Sequence, residues 1–274
     1  MADFLAAMAA SSRLRADGVT ESPGESRLMA RARAAAPARP LELSDTGFDL
    51  IAEPKLASPS DGELVPHADS GEAVLRIATS LAGSGCVALS VLTEPSVFAG
   101  AVEHLEAVSA AVDLPVMRKD FLVDPIQVVE ARAAGASGVL LIARIVKSSL
   151  LVEMTDLVIG LGMFALVEVF DESDLESAAA VFDRAVLVGV NARDLATLEV
   201  DRRRHARLAP LLPDRLPAVA ESGIATAGDA MGAALAGYRL ALVGTAVATS
   251  GDPAATVRRL IAAGETAVST GLAR

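Results

Sequence analysis

Short apolar segments of strand character alternate with helical segments along most of this chain, and this alternation constrains the fold more than any other feature. The segments are almost continuous in Val, Leu, Ile and Ala, which is typical of parallel strands buried on both faces. Eight such strands with helices between them predict a (β/α)8 TIM barrel. The predicted strands are Asp49–Glu53, Cys86–Leu92, Val116–Lys119, Gly138–Ile142, Phe164–Val169, Ala185–Val190, Ala218–Glu221 and Leu240–Val243.

An open, doubly wound sheet is the alternative arrangement of alternating strands and helices. Its dinucleotide-binding version carries the motif Gly-x-Gly-x-x-Gly directly after the first strand. No such motif follows Asp49–Glu53, which counts against that version.

Capping residues predict where several helices begin and end. Asp124, followed by a proline and then Gln127, predicts an N-cap with a capping box. Asp252, also followed by a proline, predicts a second helix start, and Thr226 with Asp229 predicts a third. Because glycine readily adopts the left-handed conformation that ends helices, the predicted ends are Gly83, Gly135, Gly237 and Gly264.

The first 47 residues lack this alternation. We predict that residues 1–47 form a helical extension packed on a barrel domain of residues 48–274, because so short a segment cannot bury a core of its own. A turn-rich segment, Gly18–Gly24, separates two predicted helices, and the pattern leaves open whether they cover the mouth or the flank of the barrel. The apolar stripe of the first helix consists of Met1, Phe4, Leu5 and Met8.

Composition excludes several classes of function. A net charge of −11 argues against binding to nucleic acid or to an acidic membrane surface, both of which need clustered positive charge. The single cysteine, Cys86, excludes an internal disulfide, indicates a reducing compartment and is expected to be a small buried hydrophobe. We see no signal peptide and no apolar run long enough to span a membrane, so we expect a cytoplasmic protein.

Lysine is rare in this chain, with only three residues among 24 Lys and Arg. Two of them, Lys55 and Lys119, follow apolar strand-like runs and lie beside carboxylates. A lysine ammonium is compact and its pKa can be shifted, whereas arginine stays charged, so retention of lysine at these two places suggests proton chemistry. Chance placement on a solvated edge is the alternative.

Polar residues end most of the predicted strands, which is where the active sites of TIM barrels lie. Charges that converge on one barrel mouth are costly unless they bind a polar substrate or compensate one another in an ion network. Glycines after the last two strands, in Glu221–Ile224 and Val243–Ala246, further predict a phosphate site built from backbone N–H groups. The polar strand-end residues are Glu53, Lys55, Glu94, Lys119, Asp120, Glu168, Asn191, Arg193, Glu221 and Ser222.

Six segments in this order resemble the motifs of the indole-3-glycerol-phosphate synthase family, and they span roughly residues 48 to 250. Any one of them would be weak evidence, but the set is specific. The segments are Glu53-Pro54-Lys55-Leu56-Ala57-Ser58-Pro59-Ser60, Leu89–Glu94 with the Phe98-x-Gly100 that follows, Arg118–Pro125, Leu166–Val169, Gly189–Leu195 and Glu221–Ile224.

The resemblance implies a carbon–carbon lyase of tryptophan or specialised indole biosynthesis that uses no metal and no organic cofactor. The reaction converts 1-(2-carboxyphenylamino)-1-deoxyribulose 5-phosphate to indole-3-glycerol phosphate with loss of CO₂ and water. By resemblance, Lys119 is the general acid and Glu168 the base. Lys55 contacts the substrate carboxylate and serves as a second acid, and Glu53 orients these groups.

The resemblance also implies which residues bind substrate. The substrate is positioned by Asn191, Arg193, Glu221 and Ser222. The phosphate cradle is formed by Ser58, Gly223, Gly244 and Thr245. The anthranilate pocket is lined by Phe98, Phe121 and Leu140. We expect the small phosphorylated substrate to be the only partner, with no nucleic acid or membrane, and a monomer or weak dimer.

Several departures from the family pattern cluster around the first strand. Pro54 replaces an aliphatic residue and could bend the strand end and re-aim Lys55, since proline is disfavoured in a central strand. Leu56 and Asp61 stand where basic residues are common, Ala192 replaces a frequent Asn or Ser, and the segment 67–70 lacks the usual Asp-Pro helix start. These changes suggest a divergent member, or a paralogue that acts on a modified substrate.

Two other functions remain open. A sugar-phosphate isomerase on the same barrel would share the phosphate loops and a Glu base but would not need both Lys55 and Lys119. A non-catalytic barrel that binds a phosphorylated ligand is favoured only by Pro54. The three histidines, His67, His104 and His205, fit no metal spacing, and we predict that all lie at the surface.

Overall fold

The computed structural model describes residues 4–20, 24–45, 47–58, 62–63, 70–195 and 197–270. Within them, eight parallel strands form a barrel: β1 (Asp49–Ala52), β4 (Ala88–Leu92), β5 (Val116–Lys119), β6 (Gly138–Ile142), β7 (Phe164–Val169), β8 (Leu187–Asn191), β9 (Ala218–Glu221) and β10 (Leu240–Val243). The barrel closes in the order β1, β10, β9, β8, β7, β6, β5, β4. The predicted TIM barrel is therefore confirmed.

Helices cover the outside of the barrel, and a short hairpin rises from its mouth. The hairpin, β2 (Ala57–Ser58) with β3 (Gly62–Glu63), was not predicted. The helices are α1 (Phe4–Thr20), α2 (Gly24–Ala34), α3 (Ser70–Ala82), α4 (Pro95–Phe98), α5 (Val102–Ala111), α6 (Pro125–Ala133), α7 (Ser148–Gly160), α8 (Glu172–Ala178), α9 (Arg203–Leu208), α10 (Ala227–Leu235), α11 (Thr245–Ala248) and α12 (Pro253–Ser269).

The predicted helix starts agree with the structure, but one predicted end is wrong. Asp124 and Thr226 each form a capping box, and Asp252 accepts a hydrogen bond from Ala255 N. Gly264, however, lies inside α12, which continues to Ser269. A Cβ at Gly264 would stand 2.1 Å from Cδ1 of Phe48, so this glycine serves close packing on the barrel and does not end the helix.

The N-terminal segment touches the barrel in two places. The first helix, α1, runs through Gly18, where a turn was predicted, and lies over the barrel mouth with its Phe4 ring centroid 6.0 Å from that of Phe121. The second helix, α2, packs beside α6, where Ala32 joins a cluster with Val129. The extension thus contacts both the mouth and the flank. The predicted Met1 lies outside the described residues.

Apolar side chains fill the barrel below its mouth. Residues from several strands, among them Ile51, Met117, Leu166 and Leu240, form one cluster inside the barrel. A larger cluster between strands and helices contains Cys86, which is buried as predicted. Because the interior is filled, polar chemistry is restricted to the carboxyl ends of the strands.

Candidate active site

Glu53 joins the two lysines of interest at the barrel mouth. Its Oε1 lies 3.5 Å from Nζ of Lys55, and its Oε2 lies 3.7 Å from Nζ of Lys119. Ser90 Oγ donates a hydrogen bond to Oε2 of Glu53 at 3.3 Å. Both lysines line the same cavity, although they are 64 residues apart in the chain (119 − 55).

Lys119 is surrounded by carboxylates. Burial alone would lower the pKa of its ammonium group, but the negative charges of Glu53, Glu168 and Glu221 together outweigh burial and raise that pKa. A lysine retained for easy proton loss would have a lowered pKa. Lys119 has the opposite shift, which suits an acid that is protonated when substrate arrives.

Glu168 and Glu221 form a close pair beside Lys119. Burial raises the pKa of both carboxyl groups, and repulsion from Glu168 raises that of Glu221 further. Asn191 Nδ2 donates to Glu168 Oε2 at 3.0 Å, whereas no described donor reaches either buried oxygen of Glu221. Repulsion between the two carboxyl groups favours the protonated form of Glu221, in keeping with its raised pKa.

A glycine on the neighbouring strand makes room for Glu221. A Cβ at Gly189 would stand only 2.1 Å from Oε1 of Glu221. Gly189 lies beside Glu168 in the register of β7 and β8. Any side chain at this position would force the Glu221 carboxyl group to move.

Glycines and hydroxyls line the outer part of the cavity, which has a volume of about 330 Å³. Gly223 and the preceding Ser222 both have left-handed backbone conformations, with φ of 79° and 64°. Lys55 Nζ donates to Thr245 Oγ1 at 3.2 Å, which brings an ammonium to this part of the cavity. Its lining includes the predicted Ser58, Arg193, Ser222, Gly223, Gly244 and Thr245.

A smaller adjoining cavity of about 50 Å³ is lined by apolar side chains together with Glu94, Asp120 and Glu168. The Phe98 and Phe121 ring centroids are 6.3 Å apart. Leu140 completes the predicted set, and Lys119 and Phe98 border both cavities. The mouth therefore offers a polar half and an apolar half, with the Lys119 ammonium between them. Among the described residues, no three His, Cys, Asp or Glu side chains converge as a metal site requires.

Comparison with known proteins identifies the family to which this chain belongs. The family model described as indole-3-glycerol phosphate synthase matches residues 10–260. The chain is 46% identical over 238 residues to the indole-3-glycerol phosphate synthase of Mycobacterium avium (strain 104), covering 85% of each chain. It is 43% identical over 255 residues to that of Mycobacterium tuberculosis (strain CDC 1551 / Oshkosh), covering 92% of each. This chain belongs to the indole-3-glycerol phosphate synthase family.

Similar solved structures share the fold at low sequence identity. A 3-hexulose-6-phosphate synthase superimposes with a TM-score of 0.61 at 19% identity, covering 78% of this chain and 99% of that one. A thiamine phosphate pyrophosphorylase from Pyrococcus furiosus gives a TM-score of 0.57 at 16% identity, with coverage of 82% and 98%. At these identities the likeness shows the barrel and no more.

Pro54, which departs from the family pattern, does not disturb the strand. β1 ends at Ala52, and Glu53 N still donates to Val243 O at 2.9 Å, so the ladder is complete before the proline. That Pro54 re-aims Lys55 stays a prediction. In the structure, Lys55 Nζ lies 3.5 Å from Oε1 of Glu53 and donates to Thr245 Oγ1. Asp61 and His67 lie outside the described residues.

Two predicted mouth residues, which border the smaller cavity, also take part in an ion network with Arg15 of α1. The carboxylate of Asp120 accepts from Arg118 at 3.2 Å and from Arg15 of α1 at 2.6 Å. Glu94 accepts from the backbone N of Ser96 and Val97 and so caps α4. The alternation of side chains along β5 could have separated the outward Arg118 from the inward Lys119, but nothing in the sequence indicated Arg15.

The prediction that His104 and His205 lie at the surface is wrong, because both side chains are buried. His205 Nε2 lies 3.2 Å from Val190 O and 3.1 Å from Glu221 O. Burial lowers the pKa of its imidazole. As a neutral donor, His205 links the ends of β8 and β9, the two strands that carry Asn191 and Glu221. A histidine in an Arg-rich run gave no sign of this.

Proposed function

We propose that this chain closes an indole ring, converting 1-(2-carboxyphenylamino)-1-deoxyribulose 5-phosphate to indole-3-glycerol phosphate, CO₂ and water. The observation that carries the proposal is the position of Lys119 between a glycine-lined polar cavity and an apolar one. An acid placed there can reach a ketone that lies between a phosphate group and an aromatic ring.

Ring closure needs an acid near the substrate ketone. We assign this role to Lys119, whose raised pKa keeps it protonated at neutral pH. As its proton moves toward the ketone oxygen, the aromatic carbon that bears the carboxylate attacks the carbonyl carbon. Acid catalysis of this kind contributes typically about 10² to 10⁴ in rate.

Decarboxylation and dehydration then restore the aromatic system. The electrons of the bond to the carboxylate return to the ring as CO₂ leaves, the new hydroxyl departs as water, and a proton is lost to a base. Lys55 is placed to contact the substrate carboxylate and act as the second acid. Glu168, held by Asn191, is the base, and Glu53 orients both lysines.

We propose that each of the two cavities holds one end of the substrate. We place the phosphate on the backbone N–H groups of the final two strand loops, with the ring between the phenylalanines. Arg193, whose Nη1 donates to Leu198 O at 2.9 Å, lines the polar half between them. The proposed phosphate seat is Ser58, Gly223, Gly244 and Thr245. The proposed ring pocket is Phe98, Phe121 and Leu140. The remaining positioning residues are Asn191, Arg193, Glu221 and Ser222.

A fluorescence assay tests the function directly. Purified protein mixed with the carboxyphenylamino ribulose phosphate should generate indole fluorescence together with one CO₂ for each product molecule. Folded protein that produces neither signal would exclude the proposal and favour a non-catalytic phosphate-binding barrel. Conversion of a sugar phosphate lacking the aromatic ring would favour the isomerase alternative instead.

The same assay addresses the modified-substrate alternative. Because Lys55 still reaches the cavity beyond Pro54, we propose the unsubstituted substrate as the preferred one. Competition between plain and ring-substituted substrates should give the higher kcat/KM for the plain compound. A clear preference for a substituted ring would assign the chain to a specialised indole pathway.

We further propose that the enzyme works in the cytoplasm as a monomer or weak dimer. The single buried Cys86 suits a reducing compartment. None of the described helices is long and apolar enough to cross a membrane. Cell fractionation and light scattering during gel filtration test these two statements.

A further inference from the structure

Arg202 lies on the rim of the polar cavity, at a position that the family motifs do not mark. It precedes α9, and its side chain is 62% exposed. Its Cγ and Nε lie 3.2 and 3.5 Å from the point where a Cβ on Gly223 would stand. The missing side chain of Gly223 therefore lets Arg202 cross the loop that follows β9.

Asp229 holds Arg202 in this position. Nη1 of Arg202 lies 3.4 Å from Oδ1 of Asp229. The other oxygen, Oδ2, accepts hydrogen bonds from the backbone N of Ala225 at 3.1 Å and of Thr226 at 2.8 Å. Partial burial would raise the pKa of Asp229, but these hydrogen bonds and the charge of Arg202 lower it, so the carboxylate stays ionised. Arg202 is thus held across the loop by an anchored anion.

The cations deeper in the cavity already have partners. Lys55 and Lys119 share Glu53, and Arg193 donates to Leu198 O. The exposed pair of Arg202 with Asp229 is weak by comparison. It engages one nitrogen of a guanidinium group that carries five N–H donors in a fork suited to phosphate oxygens.

The charge of the whole protein makes a rim cation important. With a net charge of −11, the protein repels a substrate that carries both a phosphate and a carboxylate. A guanidinium at the entrance to the glycine loops counters this repulsion where the phosphate arrives. We propose that Arg202 captures the substrate phosphate at the rim, with Asp229 holding it in place. This inference rests on the proposed function, since it presumes a phosphorylated substrate.

The test compares Arg202→Gln with the matched control Arg203→Gln, which removes the same charge from the next, exposed residue. At low salt, Arg202→Gln should raise KM about five- to tenfold, as loss of a charge-assisted hydrogen bond to phosphate would. Its kcat should stay within about twofold, because Arg202 lies at the rim and not beside the reacting atoms. The difference in KM between Arg202→Gln and Arg203→Gln should be smaller at high salt, which screens exposed charges. Equal KM values for the two variants would overturn the inference.

A titration with inorganic phosphate tests the role of Arg202 in binding without any need for catalysis. Calorimetry should show that inorganic phosphate binds to the wild-type protein and to Arg203→Gln. Its affinity for Arg202→Gln should be lower by the same factor, about five- to tenfold, by which KM rises. If this pattern holds in a protein that does not close the ring, the proposed function fails and the inference stands. If the enzyme turns over but phosphate binds Arg202→Gln as tightly as wild type, or does not bind wild type, the inference fails alone. Asp229 is left unchanged because its loss would also release the backbone of Ala225 and Thr226.

Discussion

Two buried charge clusters lie on opposite sides of strand β5, and they are built differently. On the outer side, Arg118 donates at 3.0 Å to Thr93 Oγ1, at 2.7 Å to Glu130, at 2.9 Å to Gln127 O and at 3.2 Å to Asp120. On the inner side, the next residue, Lys119, comes no closer than 3.7 Å to its ion-pair partner Glu53.

The unsatisfied cluster is the one at the barrel mouth. Both oxygens of Glu221 are buried without a described donor, whereas the carboxylate of Asp120 has donors for each oxygen. A structural ion network closes its hydrogen bonds, since buried charge is costly when unpaired. In the mouth cluster the ion pair of Lys119 with Glu53 is long and Glu221 has no described donor, which is expected of groups that complete their contacts on a substrate. This difference supports the proposal that the mouth cluster is a site and not a self-compensating network.

The largest expected effect comes from removing the charge of Lys119 while keeping the volume of its side chain, which tests whether the inner cluster is catalytic. Lys119→Met should lower kcat by about 10² to 10⁴, because the ketone then lacks its acid. The matched control is Lys147→Met, since Lys147 is exposed at the start of α7 and carries the same charge. Indole fluorescence at saturating substrate measures kcat for both. An undiminished rate in Lys119→Met would remove this residue from catalysis.

The complementary change removes Arg118 from the outer cluster. Arg118→Met should lower the free energy of unfolding by about 3–5 kcal/mol, because it deprives the buried Asp120 and the half-buried Glu130 of this partner. Urea denaturation at pH 7 measures this loss. The fraction that remains folded should keep most of its kcat, since Arg118 points away from the cavity. A stable variant with strongly reduced kcat would mean that the outer cluster takes part in chemistry.

Sequence reasoning found the inner cluster because barrel topology brings strand ends together. Once eight strands were assigned, Lys119, Glu168 and Glu221 had to converge at the carboxyl ends. Strand alternation was also enough to separate Arg118 from Lys119. The roles of these residues came from the family resemblance and are tested by the variants proposed here.

Contacts between distant segments could not be predicted in the same way. The closeness of Gly189 and Glu221 depends on how β8 and β9 are aligned, which no local pattern encodes. His205 reaches two strand ends because α9 packs behind them. Gly264 looked like a helix end, but its packing on Phe48 overrides the local preference. Each of these three contacts joins residues that are at least 15 positions apart in the chain.

The comparison can be sharpened by moving Glu221 without changing its chemistry. Gly189→Ala would place a Cβ only 2.1 Å from Oε1 of Glu221 and so force that carboxyl group to move. Displacement of this size should lower kcat/KM by about 10²-fold. The matched control is Gly232→Ala in α10, where a Cβ meets nothing within 4 Å. That change should leave activity intact and stabilise the helix by about 0.5–1 kcal/mol.

The smallest expected effect concerns the raised pKa values of Glu168 and Glu221. Both carboxyl groups have raised pKa values when folded, so the folded protein holds protons that the unfolded chain releases. Their contribution to stability is complete below the ordinary glutamate pKa of about 4.3 and is lost as pH rises through the raised values. Each unit of upward shift corresponds to about 1.4 kcal/mol.

Glu221→Gln isolates this contribution, because an amide cannot release a proton. Urea denaturation between pH 5 and 8 should show that the variant gains stability relative to the wild type as pH rises. Glu153→Gln removes the same charge from an exposed position and should follow the wild-type profile. Parallel curves of unfolding free energy against pH for the wild type and Glu221→Gln would mean that the pKa of Glu221 is not raised. The contrast between the inner cluster and the Arg118 cluster would then rest only on their hydrogen-bond and ion-pair distances.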